Sequence, residues 1–197
     1  MKRKALGIGV NDILEKTYGA DGKQEKSYIA WINMLKRCYD ESCLQKNPTY
    51  RGCSVCDEWL HYSNFKKWFD ENYREGYQID KDVLCRYYGV PSVYSPVTCR
   101  LVPRNINNLF IRCNAVRGKY PVGVSFNVGY KRFEVHIRIK RERFLLGYFD
   151  DPITAFETYR SAFRAKIKNA AISAYNSGLI DKEYSDAMIA YDITIND

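Results

Sequence analysis

The chain has 197 residues, with 31 Lys and Arg against 23 Asp and Glu, giving a formal net charge of +8. Its hydrophobic fraction of 46% is that of a folded domain and excludes broad disorder, while no apolar run approaches the roughly 20 residues that span a bilayer. Only two histidines are present, His61 and His136, which leaves little room for chemistry needing several imidazoles, whereas 17 Tyr and 9 Phe on a basic chain suit a nucleic-acid partner.

The basic start, Met1-Lys2-Arg3-Lys4, soon gives way to glycine and polar residues and makes a poor export signal. Seven cysteines, an odd number, then point to a reduced, cytoplasmic protein. The pattern Cys53-Ser54-Val55-Cys56 has zinc-knuckle spacing but no second such pair. Cys85 and Cys99 could complete a structural zinc site; the simpler reading is small buried apolar thiols.

Taken along the chain, residues 25–39 read as a helix, with Tyr28, Ile29, Trp31, Ile32, Leu35 and Cys38 at spacings of three and four. Pro48 marks the polar stretch 46–50 as a loop. Ser63 looks like the N-cap of an amphipathic helix carrying Phe65, Trp68 and Phe69 and stopped by Gly76. Residues 79–84 and 98–102 are expected as two short strands around a Gly89/Pro91 loop, followed by a helix over 104–111.

Three further strands are expected over 122–127, 132–140 and 143–149. In the middle one Phe133, Val135, Ile137 and Ile139 alternate with Arg132, Glu134, His136, Arg138 and Lys140, so the two sets occupy opposite faces. Pro152 opens a helix to about Ala170 whose stripe of Ile153, Phe156, Tyr159, Phe163 and Ile167 should cover the apolar face. The other face is left open and basic. Charge follows this layout: residues 115–170 hold 12 Lys and Arg against 5 Asp and Glu, and residues 171–197 hold 1 against 5. The acidic tail reads as helical, with Tyr184, Met188 and Tyr191 at helical spacing.

A three-stranded sheet backed by one helix, with arginines on its open face, suits the major groove of double-stranded DNA. Arg132, His136, Arg138, Lys140, Arg141 and Arg143 are the expected contacts. The residues that carry this pattern are Val122-Gly123-Val124, Arg132-Phe133-Glu134-Val135-His136-Ile137, Leu145-Leu146-Gly147-Tyr148-Phe149 and Ala155-Phe156-Glu157-Thr158-Tyr159. Together they resemble the Apetala-type DNA-binding domain, over about Tyr120 to Ala170. The chain departs from that family's usual Ala-Ala pair, which here is Ala155-Phe156.

Upstream, Gln78-Ile79-Asp80-Lys81-Asp82, Tyr94-Ser95-Pro96-Val97-Thr98-Cys99-Arg100 and Asn105-Ile106-Asn107-Asn108 resemble the ββα-metal core of HNH endonucleases of phage and homing type. That resemblance implies a divalent ion, magnesium or similar, held by Asp80 and Asn107, and hydrolysis of a phosphodiester. The family's general base is a His at a position that falls here on Lys81 or Asp82, and neither histidine lies in this stretch. By resemblance to relatives that use Tyr, Tyr94 would activate water or attack, and Lys81 would stabilise the phosphorus centre. The alternative is a core that keeps its fold and does no chemistry, with Asp80, Tyr94 and Asn107 serving turns and caps.

The expected class is therefore α+β: an HNH-like module with a helical leader over 1–114, an Apetala-type sheet and helix over 115–171, and an acidic helical tail over 172–197. The leading expectation is a sequence-directed DNA endonuclease. A catalytically silent DNA-binding regulator stands beside it, as does a protein-binding inhibitor of a host system. Double-stranded DNA is the expected partner, in the cytoplasm at the nucleoid of a bacterial host cell. A homodimer and a host protein partner both stay open.

Overall fold

A computed structural model describes residues 3–13, 17–18, 22–111, 119–140 and 142–196. The fold is mixed α and β. It divides into two compact units, Met1–Arg104 and Asn105–Asp197. Among the described residues no helix is long and apolar enough to cross a membrane.

The first unit is built around an aromatic core. Strands β1 (Arg3–Ala5) and β2 (Gly9–Asn11) form a hairpin, followed by α1 (Lys26–Tyr39), α2 (Glu41–Lys46) and a 3-10 turn over Pro48–Tyr50. Helix α1 forms where expected and turns Trp31, Leu35 and Cys38 inward together with Met34, while Ile29 of the expected stripe is exposed. Strand β3 (Ser54–Val55), a 3-10 turn over Asp57–Leu60 and α3 (Tyr62–Asn72) come next. Trp59 packs against Trp68 and Phe65 with ring centroids 4.6 and 5.1 Å apart, and Trp31 lies 5.2 Å from Tyr62. Two of these polar edges are satisfied inside: the Trp31 indole donates to the Trp59 carbonyl at 2.7 Å, and the hydroxyls of Ser27 and Tyr62 are 2.8 Å apart, while the buried Trp59 indole N–H has no partner among the described residues.

Ser63 is not the N-cap of α3. The helix starts one residue earlier, and the Ser63 amide and hydroxyl both donate to Asp12, at 2.9 and 2.8 Å. Asp12 caps this helix from a distant part of the chain. Gly76 does not stop the helix either, since α3 ends at Asn72; Gly76 serves the following turn with φ of +80°.

The expected strand over 79–84 is cut in half. Strand β4 (Tyr77–Asp80) ends at Asp80, and α4 (Asp82–Tyr88) begins almost at once. The Asp80 carboxylate accepts the Val83 amide at 3.2 Å, so a cap overrides the β-branched Val83. Gly89, at φ of +66°, closes α4. Strand β5 (Val93–Tyr94) then pairs in parallel with β3, and β6 (Arg100–Pro103) pairs antiparallel with β4. The helix expected over 104–111 is only α5 (Arg104–Asn107).

In the second unit β7 (Val124–Asn127), β8 (Arg132–Ile139) and β9 (Glu142–Phe149) form an antiparallel sheet in that order. Helix α6 (Pro152–Asn176) begins at the predicted proline, with Asp151 accepting the Ile153 and Thr154 amides, and runs six residues past the expected end. Val135 and Ile137 of the sheet are buried with Ala155, Phe156, Phe163 and Ile167 of the helix. Ile153, expected in this stripe, is exposed instead. Helix α7 (Lys182–Ala190) packs on α6, burying Tyr184 and Met188, so the acidic tail is part of this unit's core.

One approach in this unit is especially tight. Gly123 has φ of +81°, and a Cβ there would lie 2.1 Å from the Tyr159 ring. Gly123→Ala should therefore lower stability by about 1–3 kcal/mol through overpacking. Gly129→Ala, whose Cβ would meet only Asn127 at 3.4 Å, should stay within about 0.5 kcal/mol in the same urea melt.

Candidate functional site

The open face of the β7–β8–β9 sheet is set by strand alternation. Opposite the buried Val135 and Ile137, β8 presents Arg132, Glu134, His136 and Arg138. Registry brings Ser125 beside Glu134 and Asn127 beside Arg132 from β7. From β9 it brings Tyr148 beside Glu134, Leu145 beside His136 and Arg143 beside Arg138, with Leu146 of β9 the extra residue of a bulge opposite Val135 and His136. A bulge of this kind re-aims side chains on the strand that carries it.

These groups form a network across three strands. Glu134 accepts from Asn127 at 2.9 Å and from Ser125 at 3.2 Å, and Asn127 foremost holds its carboxyl below the usual range. Arg143 Nη2 lies 2.9 Å from His136 Nδ1 and 4.0 Å from Glu134. Arg132 is engaged by Asp150 in a two-pronged pair at 2.8 Å, at an exposed position. Lys140 is exposed in the turn with φ of +56°. Arg141 lies outside the described residues, as does Cys113. Tyr130 stacks near Tyr148, centroids 5.0 Å apart, and adds an exposed aromatic edge to the face. Sequence reasoning missed that contribution, and Asp150 as the acidic partner of Arg132.

In the first unit, Lys81 and Tyr94 meet, while the neighbouring Asp80 turns its carboxylate to the start of α4. All three are almost fully buried, at 4%, 3% and 4% exposure. Lys81 sits between β4 and α4, and its ammonium lies 5.3 Å from the Tyr94 ring centre and 5.8 Å from that of Tyr50. It is ion-paired with Asp82, whose side chain is 61% exposed. Arg37, from the last turn of α1, lies over the Tyr50 ring at 5.6 Å, and its charge acts on the Tyr94 phenol. Neither Arg37 nor Tyr50 stands out in sequence, because what marks them is proximity across the fold.

Tyr94 is held by its backbone and by the turn after it. Its carbonyl accepts the Cys56 amide at 2.9 Å. The Ser95 hydroxyl bonds both the hydroxyl and the amide of Thr98, at 2.8 and 3.1 Å. Tyr-Ser-Pro is thus a turn that fixes the tyrosine in place. Burial pushes the Tyr94 phenol well above its ordinary pKa, and Lys81 and Arg37 only partly offset this. Burial would depress Lys81, but Asp82 and Tyr94 outweigh it and leave the lysine above its ordinary value. The site at neutral pH is a protonated phenol between two cations, which is a poor nucleophile and a good hydrogen-bond donor.

The expected metal ligands are Asp80 and Asn107. One Asp80 oxygen already accepts the Val83 amide, and Asn107 belongs to the second unit. Among the described residues no three His, Cys, Asp or Glu side chains are grouped as a metal ion would require. The donors of the first unit do not by themselves make a fit for a divalent ion. Burial raises the pKa of the thiols of Cys38, to about 12, and of Cys85 and Cys99, as expected of structural cysteines. No protein-family model matches this chain, and neither a curated protein nor a solved structure is similar to it.

Both raised pKa values set a pH dependence. The unfolded phenol and ammonium lose their protons near their ordinary values of about 10, while the folded ones keep them to higher pH. Stability is then fully present below about pH 10 and falls as pH rises above it. Urea melts between pH 8 and 11 should show this fall, and Tyr94→Phe should make it shallower; an unchanged slope would argue against a buried neutral phenol.

Proposed function

We propose that this chain binds double-stranded DNA through the open face of the β7–β8–β9 sheet. The observation that carries the reading is the cross-strand pairing of Arg138 with Arg143. Like charges placed directly opposite one another destabilise a sheet, and an anion lying across both removes the repulsion. The backbone of a duplex supplies such an anion, and the major groove admits a β-ribbon. Arg138 and Arg143 take phosphates and guanine edges, with Lys140 following at the adjoining turn. His136 orients Arg143 from below. Arg132 joins by exchanging Asp150 for a phosphate, a small cost because an exposed ion pair is worth about 0–1 kcal/mol. The resemblance of this segment to Apetala-type domains supports the same reading.

A second reading, hydrolysis of the DNA by the first unit, draws on Lys81 meeting Tyr94. The protonated, enclosed phenol weighs against Tyr94 as the attacking group, so binding is the leading reading.

Arg138→Ala and Arg143→Ala should each weaken duplex binding by about 1–3 kcal/mol and lower the slope of log affinity against log salt by about one per phosphate lost. Fluorescence anisotropy over a salt series measures both; unchanged affinity at low salt would remove the sheet as the reader. In a separate assay with magnesium or manganese, supercoiled plasmid should stay supercoiled. Nicking that Asp80→Ala abolishes would instead establish the hydrolytic reading.

A further inference from the structure

The cations of the first unit are arranged for something other than stability. Arg37 and Lys81 both lie against the Tyr50 ring, and both approach Tyr94. The one carboxylate paired with either among the described residues is Asp82, on Lys81. Two positive charges are thus half or wholly enclosed with one negative charge, and burying charge without a matching partner is costly. Asp82 is moreover badly placed for a permanent partner. Its side chain is 61% exposed, whereas that of Lys81 is 4% exposed. A single change of Asp82 rotamer would open the lysine ammonium to an incoming anion without disturbing the core.

What remains when Asp82 swings away is a set of donors only. Arg37 offers a planar fork suited to two oxygens of one tetrahedral anion, and Lys81 offers a compact point charge. The Tyr94 phenol keeps its proton and can donate to a third oxygen, and Tyr50 faces both cations with its ring. A metal-binding or base-catalytic site needs acceptors; this one has donors, and its one displaceable carboxylate is paired with Lys81.

We propose that Arg37, Lys81 and Tyr94 form a binding site for a phosphate group, with Asp82 occupying the phosphate's place until it is displaced. The site requires neither the sheet of the second unit nor hydrolysis. The phosphate is either a free phosphate or one in the backbone of a nucleic acid, and the two sources separate experimentally.

The test uses the full chain. In isothermal titration with inorganic phosphate at low ionic strength, Asp82→Asn should bind about tenfold more tightly than the parent, since a competing charge is gone. Arg37→Ala should bind about tenfold more weakly, the value of one charge-assisted hydrogen bond. Arg37→Lys, which keeps the charge and loses the fork, should fall between the two. These positions are partly or largely exposed, and circular dichroism confirms that each variant is folded. For the second source, Arg138→Ala/Arg143→Ala removes the proposed sheet contacts. Residual binding of a short duplex that Arg37→Ala abolishes and Asp82→Asn strengthens assigns a backbone phosphate. Response to inorganic phosphate alone assigns a free phosphate. Folded Asp82→Asn and Arg37→Ala variants that match the parent in both arms would overturn the site, whatever the sheet variants do to duplex binding.

Discussion

The first unit depends on the hydrogen bond between the Trp31 indole and the Trp59 carbonyl and on the rings gathered around it. All of its sheets are two-stranded, and ribbons of that size are marginal in water on their own. They persist because each is laid against the aromatic cluster. At Gly9 in the hairpin a Cβ would lie 2.5 Å from Leu35 and 2.8 Å from Trp31, so the strand rests directly on α1. Tyr94, Cys99 and Leu101 enter the same cluster from β5, β6 and the turn between them. The Lys81 site is thereby mounted on this aromatic core through Tyr94, and its geometry is inherited from packing that has nothing to do with charge.

The two candidate surfaces solve the problem of concentrated positive charge in opposite ways. On the sheet face the charges are exposed and loosely neutralised by Asp150 and Glu134, so water screens them and exchange of partners is easy. Around Lys81 the charges are enclosed, and rings and one carboxylate take the place of solvent. The first arrangement suits a long, diffuse polyanion. The second suits one compact anion held in a fixed orientation.

Much of this was visible in the residues. Period-two alternation from Arg132 to Lys140 and the stripe of Phe156, Phe163 and Ile167 located the sheet and its helix, because each strand and helix there is long enough for its period to repeat. The Tyr-Ser-Pro turn was also legible, as local side-chain chemistry usually is. The break after Asp80 was not read, although an Asp three residues before Val83 is a helix-capping arrangement, because Val83 and Leu84 look like a continuing strand. Remote partnerships left no local trace at all. Asp12 beneath Ser63, Asp150 on Arg132, and Arg37 above Tyr50 join residues whose spacing in the chain carries no periodic signal. Tyr94 lies beside Lys81, but its protonation depends on enclosure, which only three-dimensional packing determines.

The length of α6 has its own consequence. Its 25 residues extend about 37 Å, whereas strands of eight residues reach only about 27 Å. The last turns of the helix therefore overhang the sheet, and α7 folds back beneath them, burying Ala171 and Ala174. Beyond α7, Asp192 pairs with Arg160 and reaches Arg164, drawing two arginines of the basic block away from any outside partner. The polarity of the tail thus acts as an internal counterweight that keeps the helix side of this unit close to neutral and leaves the opposite side as its electropositive pole. Cutting the chain near Ala171 would remove that asymmetry along with the overhang's cover, turning a one-sided molecule into one that is sticky on its back and basic all round.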